Sequence, residues 1–192
     1  MIKTENFDKL QITNSSELRN WLMEHHTQEA GIWLVTFKKS EKEKYVSREE
    51  VLDELISFGW IDSIRRKLDA TRTMQLISPR RVQHWAKTYK DRANKLIREN
   101  RMHQSGLNSI RKGKESGLWN FMDDVDNLVI PEDLKNALNE FEGAFDFFDH
   151  INDSSKRFVL RWIKLAKTKK TRNNRIKKIA KLSSIGEKLP GS

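Results

Sequence analysis

The sequence predicts an α+β protein, in which a small, mostly antiparallel sheet is covered by helices and followed by an all-helical C-terminal half. Three observations predict this class. Residues 32–37 (Ile-Trp-Leu-Val-Thr-Phe) are a β-branched and aromatic run of strand length. Residues 61–69 and 73–78 alternate in polarity around a short turn, as the strands of a hairpin do. From His84 onward, apolar residues recur every three to four positions, which is the spacing of helices.

Capping signals predict two helices before the hairpin. Asn14 precedes apolar residues at helical spacing, so the first helix is expected from about Ser15 to His26. The charged stretch 38–44 predicts a solvated loop. Residues 47–50 (Ser-Arg-Glu-Glu) contain the S-x-x-E capping box, which starts a second helix that Gly59 ends.

The predicted sheet contains residues 32–37, 61–68 and 73–78, with residues 8–12 as a candidate edge strand. Pro79 ends the hairpin ladder because proline has no N–H to donate.

The second half of the chain is predicted to be helical except for an acidic surface loop at residues 123–127. Apolar periodicity and capping residues place helices at about 84–100, 104–116, 131–139, 141–150, 152–166 and 171–185. Phe141, Phe145 and Phe148 are expected to point inward from the helix over 141–150.

The length of 192 residues suits one compact domain or a domain with a small appendage. The predicted division is an α+β domain over residues 1–120, which contains an Arg-rich hairpin, and a helical C-terminal region over residues 121–192 packed on it. The basic tail, residues 156–181, belongs to the second part. The length excludes a large multidomain enzyme.

Composition excludes several chemistries. The chain contains no cysteine, so it has no disulfide, no thiolate metal site and no cysteine nucleophile. None of the five histidines has the i,i+4 spacing typical of zinc ligands, and phosphate-binding glycine loops are absent. The sequence therefore predicts no catalytic residue, no metal and no cofactor, and it favours a protein that is not an enzyme.

One enzymatic alternative stays open, with Asp62 or Asp69 beside Arg65 as an acid–base pair. A single carboxylate near a single arginine is too common to define a site. The start of the chain is not followed by an apolar run, and no 18 apolar residues stand together, so a soluble, cytoplasmic protein without a transmembrane segment is expected. The sequence leaves the oligomeric state open.

The most unusual segment is 59–85, where basic side chains surround a hairpin with a tryptophan at each end. Guanidinium groups on a sheet face present planar forks to carboxylate or phosphate. The segment therefore predicts an anion-binding cleft for a small molecule or an acidic protein partner. Its candidate ligand-binding residues are Trp60, Asp62, Arg65, Lys67, Asp69, Arg72, Arg80, Arg81 and Trp85. The alternative is a structural network in which Asp62 and Asp69 pair with these arginines and the tryptophans belong to the core.

The net charge of +10 is concentrated in residues 156–181, which hold twelve Lys and Arg and no acid. Such a segment attracts polyanions or anionic lipid. Its candidate polyanion contacts are Lys167, Lys169, Lys170, Arg172, Arg175 and Lys178. The alternative is a solvated face, with Phe158, Trp162, Ile176 and Ile179 packing the two helices on the body of the protein.

Short motifs in a fixed order resemble the YdeI/OmpD-associated family, also called bacteriocin-protection or OmdA-like proteins. They span about residues 30–182. The motifs are 58–62 (Phe-Gly-Trp-Ile-Asp), 66–69, 78–81 with Trp85, 95–102 with Gly106 and Leu107, 117–119, 131–134 with Ala137 and Leu138, Phe147 and Phe148, 161–163, Ala166, Lys167 and 170–172.

The resemblance implies a small bacterial protein of a family in which some members are linked to tolerance of bacteriocins or antimicrobial peptides. It implies no catalytic residues. The last helix is more lysine-rich than the family pattern, which disfavours direct binding of cationic peptides. The leading hypothesis is a bacteriocin-protection or stress-tolerance protein that binds an anion through the Arg/Trp hairpin. The alternative is a nucleic-acid-associated protein acting through the basic C-terminal helices.

Overall fold

The computed structural model describes residues 7–190. The chain divides between Asn120 and Phe121 into two compact units, called here the N-terminal and the C-terminal unit. In chain order the elements are β1 (Lys9–Gln11), α1 (Ser15–His25), β2 (Ile32–Phe37), α2 (Arg48–Phe58), β3 (Trp60–Lys67), β4 (Arg72–Pro79), α3 (Lys87–Arg98), α4 (Gln104–Glu115), α5 (Asp123–Asp126), α6 (Glu132–Asn139), α7 (Ala144–His150), α8 (Asp153–Lys164) and α9 (Lys169–Ser184).

The described part of the N-terminal unit contains one four-stranded sheet in the order β1-β2-β4-β3. β2 and β3 both pair with β4 in antiparallel fashion, with Leu34 opposite Gln75 and Trp60 opposite Pro79. β1 pairs with β2 in parallel and forms the opposite edge. The predicted α+β class, the mostly antiparallel sheet and the edge strand within residues 8–12 are confirmed.

Local capping starts and ends the first two helices where the sequence predicts. The Asn14 side chain accepts a hydrogen bond from the Glu17 N–H at 3.0 Å. Ser47 and Glu50 form the reciprocal capping box, with N···O distances of 3.2 and 2.9 Å. Gly59 ends α2 at φ +75°, a conformation that glycine adopts without a Cβ clash.

Two apolar clusters form the core of the N-terminal unit. The first lies between α1, α2 and the sheet and includes Leu22, Leu34 and Phe58. The second joins α2, α3 and α4 through Ile56, Trp85, Ala93, Leu96 and Ile110. Helix α3 begins at Lys87, so the prediction that it starts at His84 is wrong. Trp85 lies in an extended segment instead, where its N–H donates to the Leu118 carbonyl at 3.0 Å.

The C-terminal unit is a helical unit with its own core, which includes Leu134, Phe148, Leu160, Ile163 and Ile179. The helical prediction for this half is confirmed. The prediction of a loop at 123–127 is wrong, because Asp123–Asp126 form the short helix α5. Val125 of α5 is buried in the core, and acidic residues are favoured in a first helical turn.

Two expectations about aromatic side chains in this unit are wrong. Phe141 precedes α7 and is 42% exposed, whereas Phe148 of α7 is fully buried. Phe158 is 46% exposed, because α8 buries Val159 and Ile163 on a neighbouring face. Among residues 7–190, none of the helices combines the length and the apolar character needed to cross a bilayer.

Candidate functional site

The structure separates the predicted hairpin residues into two groups. Asp69 and Arg72 lie at the turn between β3 and β4, whereas Arg80 and Trp85 follow the other end of β4. An eight-residue strand such as β4 is roughly 25 Å long at about 3.3 Å per residue. The candidate ligand-binding residues therefore fall into two groups at opposite ends of the hairpin.

The turn group is an internal network. Asp69 accepts hydrogen bonds from the side chain of Arg72 at 2.8 Å and from the backbone N–H groups of Thr71 and Arg72. Arg72 also donates to Gln11 at 2.6 Å. Lys38 donates to the carbonyl oxygens of Asp69 and Ala70. These contacts stabilise the turn and leave little of Arg72 for a ligand.

The Arg72 hydrogen bond and the two backbone N–H donors lower the pKa of Asp69 from 3.8 to about 2. Because the folded-state pKa lies below the unfolded value, the ionised carboxylate contributes stability above about pH 4. That contribution is lost as the pH falls through about 2. An NMR titration of the Asp69 carboxyl carbon is expected to show this low midpoint in the native protein. Arg72→Ala should move the midpoint up toward its ordinary value, and a native midpoint near 4 would contradict the pairing.

Polar side chains in the middle of the hairpin also form hydrogen bonds within the protein. Asp62, whose side chain is 6% exposed, accepts hydrogen bonds from the Tyr89 hydroxyl and from Gln75 at 2.6 Å, with Arg48 at 3.7 Å. Burial, followed by the hydrogen bond to Asp62, raises the pKa of Tyr89. Arg65 donates to Thr73 at 3.2 Å.

The two tryptophans at the hairpin ends belong to the core of the N-terminal unit. Trp60 is buried, and its Nε1–H donates to the His26 carbonyl at 3.2 Å. Trp85 is 2% exposed and lies between the Arg80 guanidinium and the Trp119 ring, whose centroid is 4.9 Å away. Both rings are almost fully buried, and Trp85 also lines the groove described next.

Beyond β4, an open groove of about 510 Å³ lies between the extended segment 80–85 and α4. We call it the Arg80 groove. Its lining residues are Arg80, Arg81, Val82, Gln83, Trp85, Ser109, Lys112, Gly113, Glu115, Ser116 and Leu118.

Arg80 lies at the wall of this groove, where it packs on Trp85. Its guanidinium carbon lies 3.8 Å from the centroid of the Trp85 ring, and Nη2 donates to the His84 carbonyl at 2.8 Å. Nε is buried and has no hydrogen-bond partner. Within residues 7–190, no carboxylate forms an ion pair with this guanidinium. Burial lowers the pKa of Arg80 to about 10, so the group still carries its charge at neutral pH.

The rest of the groove is mixed in character. Arg81 and Lys112 are exposed cations, and Glu115 is the acidic lining residue, 3.9 Å from Arg111. Val82 is 88% exposed and supplies apolar surface. The groove therefore combines three cationic side chains with an apolar wall.

A second group of charged side chains was not predicted from the sequence. Asp53 and Glu54 of α2 are buried and contact three arginines. The distances are 2.6 Å from Asp53 to Arg92, 3.2 Å from Glu54 to Arg101 and 2.8 Å from Glu54 to Arg19. The sequence shows Asp53 and Glu54 among the apolar residues of α2, and this was the local signal for the network. The arginines that they contact lie far along the chain, so the sequence did not indicate the pairing. We call these five residues the acid–arginine network.

The C-terminal unit uses part of the basic tail internally. Arg172 binds Asp133 through two hydrogen bonds of 2.6 and 2.8 Å, which raises the pKa of Arg172 and lowers that of Asp133. Arg175 donates to the Trp162 carbonyl, and its guanidinium lies 4.9 Å from the Trp162 ring centroid. Lys167, Lys169, Lys170 and Lys178 are exposed. Two of the six predicted polyanion contacts are therefore engaged within the protein.

Both units carry a net positive charge. Residues 1–120 carry a net charge of +7 and residues 121–192 carry +3, because acids on α5, α6 and α7 offset the tail. The described residues contain no cluster of three or more His, Asp or Glu side chains placed to hold a metal ion.

Comparison with known proteins assigns both parts of the chain. Residues 10–109, half of the chain, match the family model described as Domain of unknown function (DUF8412). The chain belongs to the DUF8412 family. Residues 127–186 match the model described as Bacteriocin-protection, YdeI or OmpD-Associated, which confirms the family resemblance in the C-terminal part. No curated protein and no solved structure matches the chain.

The two matched regions correspond to different structural features. The DUF8412 region contains the sheet except for Lys9, the first residue of β1, and it contains the segment 80–85 of the Arg80 groove. The YdeI/OmpD-associated region contains α6, α7, α8 and α9, including the exposed lysines of the tail.

Proposed function

We propose that this DUF8412 protein binds an anionic ligand in the Arg80 groove and that it acts in bacterial tolerance of bacteriocins or antimicrobial peptides. The observation that carries the binding proposal is the Arg80 guanidinium, which is half-buried, fixed on Trp85 and without a carboxylate partner among residues 7–190. The tolerance proposal is supported by the description of the C-terminal family.

An anion would complete the environment of Arg80. Removing a charge from water costs free energy unless another charge or hydrogen bond compensates. Within residues 7–190, the Arg80 guanidinium donates one hydrogen bond, to the neutral His84 carbonyl, and its buried Nε–H has no partner. A carboxylate or phosphate in the groove would accept from this guanidinium in the strong, charge-assisted manner typical of arginine.

The other walls restrict the ligand class. Arg81 and Lys112 add positive charge, while Val82 and Leu118 add apolar surface. A volume of about 510 Å³ is in the range of pockets for small molecules. The ligand is therefore an anionic small molecule or the acidic, partly apolar segment of a protein partner.

Tolerance of cationic peptides would be indirect. Both units carry net positive charge, so a cationic peptide is repelled at long range. The protein would act through its anionic ligand, in a stress response rather than by capturing the peptide. We propose no catalytic residue.

A thermal-shift screen against organic phosphates and carboxylates tests the binding. A ligand present at about 100 times its Kd stabilises the native state by about 2.7 kcal/mol, which corresponds to a rise in Tm of roughly 5–10 °C. Arg81→Ala is expected to reduce this rise, because Arg81 lines the groove and makes no ion pair with residues 7–190. Arg80→Lys should reduce it further, because lysine keeps the charge and loses the planar fork.

Arg98→Ala is the matched control, because Arg98 is exposed on α3 and does not line the groove. It should keep the full ligand-induced rise. The proposal fails if no anion raises Tm, or if Arg98→Ala and Arg81→Ala weaken the response equally.

A further inference from the structure

We propose that the exposed face of α9 is a binding surface for the phosphate backbone of a nucleic-acid duplex. This surface belongs to the C-terminal unit and does not depend on the Arg80 groove. We call it the lysine stripe and define it as Lys170, Asn174, Lys177 and Lys181.

Helical geometry places these four residues in one line. They stand at positions i, i+4, i+7 and i+11 of α9, and all four are exposed. At 1.5 Å per residue the stripe is about 17 Å long. Lys178 lies beside it and is exposed as well. A duplex segment of that length carries about ten phosphates, so three or four lysines can each meet one.

The stripe lysines are free of internal acids. Two acids on the helices that pack against α9 bind other cations: Asp133 of α6 holds Arg172, and Asp149 of α7 accepts from Lys156 at 3.1 Å. Helix α9 itself contains no Asp or Glu. Within residues 7–190, no carboxylate forms an ion pair with Lys170, Lys177 or Lys181. Their charge therefore remains available for an outside partner.

The polar character of the face favours nucleic acid over a membrane. A helix that lies on a bilayer inserts an apolar face among the acyl chains. The apolar residues of α9, Ile176, Ile179 and Ala180, are buried in the core of the C-terminal unit. The exposed face offers only lysine ammonium groups and the asparagine side chains 173 and 174, which suit phosphate oxygens.

Fluorescence anisotropy with a labelled 20-base-pair duplex and the full-length protein tests this surface. Binding at 50 mM salt should weaken steeply as salt rises, as expected for phosphate contacts. The triple substitution Lys170→Gln, Lys177→Gln and Lys181→Gln should weaken binding at least tenfold. It should also flatten the plot of log K against log salt by about 0.9 per lost contact.

The control triple removes the same charge from exposed lysines of the N-terminal unit: Lys9→Gln, Lys39→Gln and Lys42→Gln. It should keep the native salt slope and most of the affinity. Circular dichroism should show that both variants remain folded, because all six side chains are exposed and glutamine is compatible with helix.

Three results would overturn the proposal. The first is no duplex binding by the native protein at 50 mM salt. The second is an equal loss of duplex affinity in the two triple variants, which would show that the effect depends on net charge and not on the stripe. The third is that the stripe substitutions abolish binding to phosphatidylserine vesicles while duplex binding persists, which would assign the stripe to anionic lipid. Arg81→Ala should leave duplex binding unchanged, so the groove and the stripe are tested independently.

Discussion

Gly106→Ala is expected to destabilise the N-terminal unit by about 3 kcal/mol, despite the gain of about 1 kcal/mol in helix propensity. A Cβ at this position would lie 2.2 Å from the carbonyl oxygen of Ser57. The same oxygen accepts the His103 N–H at 3.0 Å just before α4. Helix α4 would have to move away from α2, which would disturb the core around Ile110 and the wall of the Arg80 groove.

Chemical denaturation measures this effect, and Gln104→Ala is its control. Gln104 is exposed at the start of the same helix, so its substitution should change the free energy of unfolding by no more than about 0.5 kcal/mol. If Gly106→Ala is as stable as the native protein, the close approach of α4 to α2 is wrong.

Removing two arginines of the acid–arginine network, Arg92→Ala with Arg101→Ala, is expected to cost about 3–5 kcal/mol. The double substitution leaves the Asp53 carboxylate, which is 9% exposed, without a cationic partner. Glu54 keeps only Arg19. The converse change, Asp53→Ala, should cost less, about 1–2 kcal/mol, because both guanidinium groups reach solvent.

The test is whether the double arginine variant loses more free energy of unfolding than Asp53→Ala, measured by urea unfolding at neutral pH. Arg98→Ala on α3 should leave the free energy of unfolding within about 0.5 kcal/mol of the native value, because its side chain is exposed. Equal losses in Asp53→Ala and in the double arginine variant would contradict the burial of the two carboxylates.

The network and the groove are linked through the helices that hold them. Arg92 joins α3 to α2, and Arg101 joins the segment before α4 to α2. Helix α4 is one wall of the Arg80 groove. The network therefore acts in positioning a groove wall, and its loss should weaken ligand binding along with stability.

Most of the secondary structure could be predicted from the sequence because its signals are local. The capping residues Asn14 and Ser47, the left-handed Gly59 and the β-branched run 32–37 all act within a few residues, and each element lies where it was predicted. Errors arose where burial overrides a local signal. Acidic residues 123–127 suggested a loop, yet Val125 anchors a helical turn in the core.

The candidate binding residues could be predicted only in part, because the sequence does not show which charged side chains pair with each other. Arg72 and Arg80 were equal candidates by composition. The fold bonds Arg72 to Asp69 and Gln11, and it leaves Arg80 without a carboxylate among residues 7–190. The same holds for the basic tail, where Arg172 is hydrogen-bonded to Asp133 while Lys170 is exposed.

By itself, the sequence determined the α+β class, the hairpin, the helical C-terminal half, the family resemblance and the absence of cysteine chemistry. The family resemblance follows from the order of short motifs along the chain. The other features follow from composition and from signals that span one or two helical turns. Only the tertiary structure decided which cations are free, which tryptophans are buried and where a groove opens. Many of the contacts that set these properties join distant parts of the chain, such as Arg72 with Gln11 and Arg172 with Asp133. No local pattern encodes such pairings.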